Sequence, residues 1–203
     1  MSTLLKSKSI RFSAVQRELK RRRVSIFSVE EFVRIFHASS VEAKYFLETY
    51  AKKGFLTRLK RGLYAITDNL PGEKMIANAL LRPSYISFES ALSYHALIPE
   101  TVYEMTSATT KSARMFLVDN LNYSYIKIKK EVFAGYRLER GMDGESFLIA
   151  DPEKAVVDYL YLVSLGRKSL NDRLNTAKLD KKKMTAYAKL YERAGLIKII
   201  KKL

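Results

Sequence analysis

The spacing of apolar residues changes character several times along the chain, and each change predicts an element. Val29, Phe32, Val33 and Phe36 recur at i, i+3, i+4 and i+7, which gathers them on one face of a helix. Ser28 and Glu31 have the spacing of a capping box at its start, and Ser39 with Glu42 repeats the device for a second helix. In that second helix Ala43, Phe46, Leu47 and Tyr50 form the inward stripe, and Gly54 suits a left-handed C-terminal cap. Phe55–Leu59 and Leu63–Ile66 then read as two strands joined through Lys60, Arg61 and Gly62. Upstream, a helix is predicted from about Ser13, with Val15 and Leu19 inward, ending in the run Lys20–Arg23.

The polar stretch Thr67–Gly72, with Asn69, Pro71 and Gly72, is the best boundary in the chain. Beyond it, Glu73–Leu81 reads as a helix with Ile76, Ala79 and Leu80 inward, stopped by Pro83. Ser87 caps another, lined by Phe88, Ala91, Leu92 and His95. Strands are predicted at Val102–Thr110, Met115–Val118, Tyr123–Lys129, Tyr136–Glu139 and Ser146–Ile149. Asp151 and Pro152 open a helix with proline at its first position. A last long helix is expected from about Lys181 to Arg193, ended by Gly195. The expected fold class is α+β: a winged helix-turn-helix over residues 1–68 followed by a mixed α+β domain over 73–203.

Charge sharpens this picture through its distribution. Residues 1–66 hold 15 Lys/Arg against 5 Asp/Glu, residues 67–166 hold 10 against 13, and residues 167–203 hold 12 against 3. Two basic ends therefore flank a middle of slight negative charge, and a basic N-terminal segment is the electrostatic footprint of polyanion binding. On the second helix of the motif, the face turned away from the core stripe carries Val41, Lys44, Tyr45, Glu48 and Lys52. As a recognition helix it would place Ser39 and Ser40 near a phosphate. Lys44 would reach guanine acceptors, with Val41 or Tyr45 at a thymine methyl. Glu48 either accepts from cytosine or pairs with Lys44 or Lys52 along the helix. Arg58, Lys60 and Arg61 would set the wing against the DNA backbone or in the minor groove. Arg21, Arg22 and Arg23 read as a solvated helix end, as a phosphate contact, or as both.

Catalytic signatures are few. The sequence has no Gly-rich phosphate loop, no GxSxG and no HExxH. The absence of cysteine removes disulfides and thiolate metal sites, and two histidines do not suggest a metal centre. No metal, cofactor or enzymatic activity is expected. Asp151, Glu153 and Lys154 loosely resemble the acidic-plus-lysine element of some nucleases, but a helix start explains Asp151 and Pro152 as well. Thr106–Arg114 (TSATTKSAR) is rich in hydroxyls and cations; an anion site or, more commonly, a strand end and polar turn accounts for it. His95, on an apolar stripe, is expected to be a hydrogen-bonded core residue. No apolar run approaches the roughly 18 residues of a membrane span, and Met1–Ser9 lacks a signal-peptide core, so a cytoplasmic location is expected.

Several stretches together resemble the AbiEi-type antitoxins of abortive-infection toxin–antitoxin systems. They are FSVEEF…KKGFLTRLKRGLYAI, RPSYISFESALSYHALIPE (Arg82–Glu100), TSATTKSAR and DPEKAVVDYLY (Asp151–Tyr161). Their order and spacing cover nearly the whole chain. The resemblance implies an N-terminal winged helix that represses its own operon by binding double-stranded DNA at inverted repeats in its promoter. The chain would be a monomer in solution or pair on the DNA. It also implies a C-terminal domain that counters a nucleotidyltransferase toxin, a phage-defence function. From the residues alone, a ligand-responsive winged-helix transcription factor is the alternative.

Overall fold

A computed structural model describes residues 10–141 and 144–203; the Met1–Ser9 stretch considered above lies outside them. The protein is mixed α+β and divides into two compact units, Met1–Pro71 and Gly72–Leu203. Among the described residues no helix is long and apolar enough to cross a membrane.

The first unit contains α1 (Phe12–Arg21), β1 (Ile26–Ser28), α2 (Val29–Phe36), α3 (Ser40–Lys52), β2 (Leu56–Lys60) and β3 (Leu63–Ile66). Its strands form an antiparallel sheet of order β1-β3-β2. Both capping boxes form: the Ser28 and Ser39 hydroxyls accept from the N–H groups of Glu31 and Glu42, and each glutamate accepts from its cap residue's N–H. Each closes a helix start whose N–H groups would otherwise lack partners. α3 stops in a Schellman motif. Gly54, at φ +79°, donates to Ala51 O at 3.0 Å, Phe55 donates to Tyr50 O at 3.0 Å, and the Tyr50 and Phe55 rings lie 6.0 Å apart. α1 ends in the same motif with an arginine in the glycine position: Arg23, at φ +55°, donates to Lys20 O, and Val24 donates to Leu19 O. The buried cluster unites Val15, Leu19, Phe27, Phe32, Ala43, Phe46, Leu47, Leu56, Tyr64 and Ile66, so all six elements share one core. Strand β1 escapes the sequence reading because three residues show no period.

The second unit is built on a six-stranded mixed sheet of order β6-β7-β5-β4-β9-β8. In sequence these are β4 (Ser84–Ile86), β5 (Glu104–Thr109), β6 (Arg114–Val118), β7 (Leu121–Lys127), β8 (Tyr136–Arg140) and β9 (Ser146–Ala150). β5–β7 and β4–β9 pair parallel and the rest antiparallel. β4 is again too short to be read from sequence. The β6–β7 hairpin turns on Asp119 and Asn120, both at positive φ, as a two-residue turn matched to strand twist requires. Helix α4 (Glu73–Leu80) lies on one face, where the Tyr125 hydroxyl donates to Ala77 O at 2.5 Å. Its buried residues are Ile76, Ala77 and Leu80; Ala79 is only half-buried. Helices α5 (Phe88–Tyr94) and α6 (Pro152–Ser164) cover the other face. The register assigns the faces: Tyr85 and Thr106 contact α6 and α5, whereas Tyr125 sits opposite Ser107 on the alternate positions.

The C-terminal segment departs from expectation. It forms α7 (Lys181–Leu190) and α8 (Ala194–Lys202) rather than one helix and a tail. Glu192, at φ +52°, closes α7 three residues before Gly195, which lies in the first turn of α8. Burial of Leu196 and Ile200 makes the predicted tail helical.

Removing the signal at either end of α3 tests this account. Ser39→Ala and Gly54→Ala should each lower unfolding free energy by about 1 kcal/mol, measured by urea denaturation; Gly54 is in open space, so only its backbone conformation is at stake.

Candidate nucleic-acid interface

The outward face of α3 is set by what its inward face buries. Ala43, Phe46 and Leu47 are in the core, so the helical period turns Val41, Lys44, Tyr45, Glu48 and Lys52 to solvent, where all five are exposed. Val41 is 77% and Tyr45 is 74% exposed, although both are largely apolar. One turn apart, they form an exposed apolar step bordered by Lys44. Ser39 is committed to its capping box, and Ser40 is exposed in the first turn.

The β2–β3 turn brings cations to the same end of the unit. Arg58 and Arg61 are exposed, and Lys60 is half-buried where the register shifts. The Val29 N–H donates to Gly62 O at 3.2 Å, which holds the start of α2 against this turn. Next to it, the Glu30 carboxyl is held below its ordinary value by its own backbone N–H, by the Ser28 hydroxyl and by the charge of Lys44. The α2 N-terminus and the basic turn are thus held together.

Arg21, Arg22 and Arg23 lie elsewhere. β1 runs from Ile26 opposite Ala65 to Ser28 opposite Leu63, so the chain enters it at the end of the sheet away from the turn. Arg23 lines a groove there with Lys20, Asp68 and Asn69. Arg21 and Arg22 are also engaged, donating to Glu18 at 2.6–2.9 Å. These bonds hold the Glu18 carboxyl down to about 2, so it stays ionised through the neutral range. The arginine run is a helix stop with an ion pair, set apart from the α3 surface.

In the second unit, the candidate nuclease residues diverge. Asp151 caps α6 through the Lys154 N–H (2.8 Å) and also accepts from the Tyr187 hydroxyl (2.8 Å). Lys183 lies 3.0 Å from Asp151 and 2.9 Å from Glu153. Burial and the bond to Asp151 push the Tyr187 hydroxyl up to about 12. Lys154 instead turns into the core, 1% exposed, and pairs with the fully buried Asp158. Asp158 accepts further hydrogen bonds from Tyr191 (2.5 Å), Ser87 (2.7 Å) and Tyr85 (2.9 Å). Burial drives the Tyr85 and Tyr191 hydroxyls well above their ordinary values, and the charge of Asp158 adds to it, so both remain donors. Ser87 stands at the N-cap of α5 but makes no cap bond; its hydroxyl donates to Asp158, and the Ser90 N–H in the first turn donates to Thr106 Oγ1 instead. The Lys154/Asp158 pair at i, i+4 on an apolar helix was visible in the sequence; its three hydroxyl partners were not.

The remaining candidates resolve as structural groups. The Thr106 hydroxyl donates to Ser87 O and the Thr109 hydroxyl to Pro83 O, both at 2.7 Å. The Thr106 and Thr109 hydroxyls thus hold β5 to its neighbours, the buried Ser107 hydroxyl has no partner among the described residues, and Lys111 to Arg114 face solvent. His95 Nε2 lies 2.8 Å from Ala150 O, to which it donates, since a carbonyl only accepts. Among the described residues no group of three His, Asp or Glu side chains is placed to hold a metal ion.

Lys154→Met should lower the unfolding free energy by about 3–5 kcal/mol by leaving Asp158 buried without its cation, and Lys154→Met/Asp158→Asn should recover part of that loss. Urea denaturation of the two variants checks the sign of the difference. Compared with known proteins, the chain matches no family model and no curated sequence.

Proposed function

We propose that this chain is a non-enzymatic antitoxin that binds double-stranded DNA and represses its own promoter. In this reading residues 1–68 act as a winged helix-turn-helix on inverted repeats, with α3 in the major groove and the β2–β3 turn as the wing. Residues 73–203 counteract a nucleotidyltransferase toxin. The observation that carries the DNA half is the outward face of α3, where Val41 and Tyr45 are exposed beside Lys44. Exposed apolar side chains flanked by cations suit a groove lined by thymine methyls and phosphates. Lys52, Arg58, Lys60 and Arg61 supply charge for backbone contact. Arg21, Arg22 and Arg23 fall outside the docking face in this reading. Support for the antitoxin half is the sequence resemblance, above all TSATTKSAR and DPEKAVVDYLY.

A second reading, an effector-responsive regulator of the same winged-helix type, is favoured by one feature of the second unit. A cavity of about 290 Å³ is lined by Glu89, Leu92, Ile98, Tyr159, Lys168 and Asn171. Glu89 Oε1 is paired with Lys168 at 2.7 Å, while its buried Oε2 accepts no hydrogen bond. A metabolite that shifts promoter affinity, with the shift lost in Glu89→Gln, would favour this reading over the antitoxin.

Footprinting and salt titration test the DNA half. Lys44→Ala/Tyr45→Ala should abolish preference for the cognate promoter over unrelated duplex. Arg58→Ala/Arg61→Ala should weaken binding to all sequences and reduce the log–log salt slope by about 2. Arg21→Ala/Arg22→Ala should change neither property comparably. Unaltered footprints in the first variant would remove α3 as the reading element. Deleting residues 1–70 should end repression and leave rescue from the toxin, read by growth of toxin-expressing cells.

A further inference from the structure

The sheet of the second unit has two edge strands, and they are protected very differently. β8 places Arg137, Glu139 and Arg140 among its five residues, and Arg137 and Glu139 pair with each other at 2.9 Å. Charges spaced along an edge are a standard guard against strand addition. β6 reads Arg-Met-Phe-Leu-Val, pairs with β7 in an unbroken five-residue register, and contains no proline, bulge or interior charge. Its side chains Met115 and Leu117 are 63% and 67% exposed. They extend from the sheet face that α5 and α6 cover farther along.

We infer that β6 is a self-association edge: it pairs antiparallel with β6 of a second copy about a two-fold axis at Phe116. The occupant is fixed by the strand's own sequence. A two-fold axis perpendicular to the sheet keeps each face continuous, and opposed residues in a ladder share a face. The register must then centre on a residue. Centring on Phe116 sets Met115 of each copy against Leu117 of the other, matching all four exposed apolar side chains. Centring on Leu117 would oppose Met115 to Asp119, and centring on Met115 would leave Leu117 opposite Ala113. The Phe116 register also lays the basic end of each strand, Lys111 and Arg114, alongside the Asp119 end of its partner. The strand is thus complementary to itself in hydrophobicity and in charge, and the contact is isologous as a closed dimer requires. Two five-residue strands bury less than the roughly 1,000 Å² of a stable interface, so the dimer is a reversible one. The inference concerns the second unit alone and is independent of the DNA reading.

Sedimentation velocity of the full chain from about 10 μM to about 500 μM should show a concentration-dependent monomer–dimer equilibrium. Met115→Lys/Leu117→Lys, with both substitutions at exposed positions, should weaken it by at least about tenfold through loss of the apolar pairs and opposition of like charges. Leu138→Lys on β8 should leave it unchanged. The chain has no cysteine, so an oxidised equimolar mixture of Met115→Cys and Leu117→Cys chains gives a second readout. The mixture should yield a covalent dimer well above the amount either variant forms alone, because only the mixed pair meets disulfide geometry. A wild-type chain that stays monomeric throughout overturns the inference. So does a lysine double variant that dimerises like wild type. If that variant fails to fold, absence of the mixed disulfide overturns it.

Discussion

A single buried carboxylate organises the second unit. Asp158 is fully enclosed, and a charge there is tolerable only if every lone pair is matched. Its partners come from separate places in the chain: Lys154 from its own helix, Tyr85 and Ser87 from β4 and the turn after it, and Tyr191 from the end of α7. Meeting that demand fixes where α6 lies on the sheet, how the β4–α5 turn runs and where α7 ends. The same arrangement explains why Lys154 is withdrawn from Asp151 and Glu153, so that three residues adjacent in sequence serve two different networks. A buried network of this kind stabilises weakly as a whole but is costly to break at any one member, which gives the helical layer a single permitted docking.

The first unit follows a different logic, in which local signals agree with the global packing. Two capping boxes and a Schellman motif define α2 and α3 before tertiary contacts are counted, and the apolar stripes then share one core with α1 and all three strands. That core spends every large inward side chain of α3, so Val41 and Tyr45 on its outer face have nothing left to cover them. Their exposure is a consequence of the register, and it sets two apolar side chains beside Lys44 on the outer face of the helix. The first unit thus rests on agreement of short-range signals and the second on satisfaction of a long-range one.

Some features that resemble function also have structural roles. The basic run after α1 is a helix stop in which Glu18 takes two of the arginines and Arg23 supplies the left-handed residue. The hydroxyl-rich stretch at Thr106 to Thr109 ties β5 to β4 and α5. In each case composition suggested an anion site, and Arg21, Arg22, Thr106 and Thr109 have internal hydrogen-bond partners. The converse case is β6, whose run of four consecutive apolar residues reads only as a strand in sequence. Its place at the rim of the sheet makes Met115 and Leu117 conspicuous.

Period and capping sufficed for the elements long enough to display them. The stripes of α2 and α3, the Asp151–Pro152 start of α6 and the strands of the β5–β9 region are legible because each repeats its pattern over several residues. β1 and β4, at three residues each, carry no period and exist because a neighbouring strand offers them a ladder. α7 and α8 could not be separated by reading, since the break falls at a glutamate in a left-handed conformation and the glycine nearby is helical. Sequence alone also made the outer face of α3 a candidate, because the helical period is local. The distance of Arg21 to Arg23 from the β2–β3 turn was decided by the path of β1, which enters the sheet at its far end. The partners of Asp158 and the order of the strands were likewise decided only in three dimensions, because they join residues tens of positions apart and no local pattern encodes which of them meet.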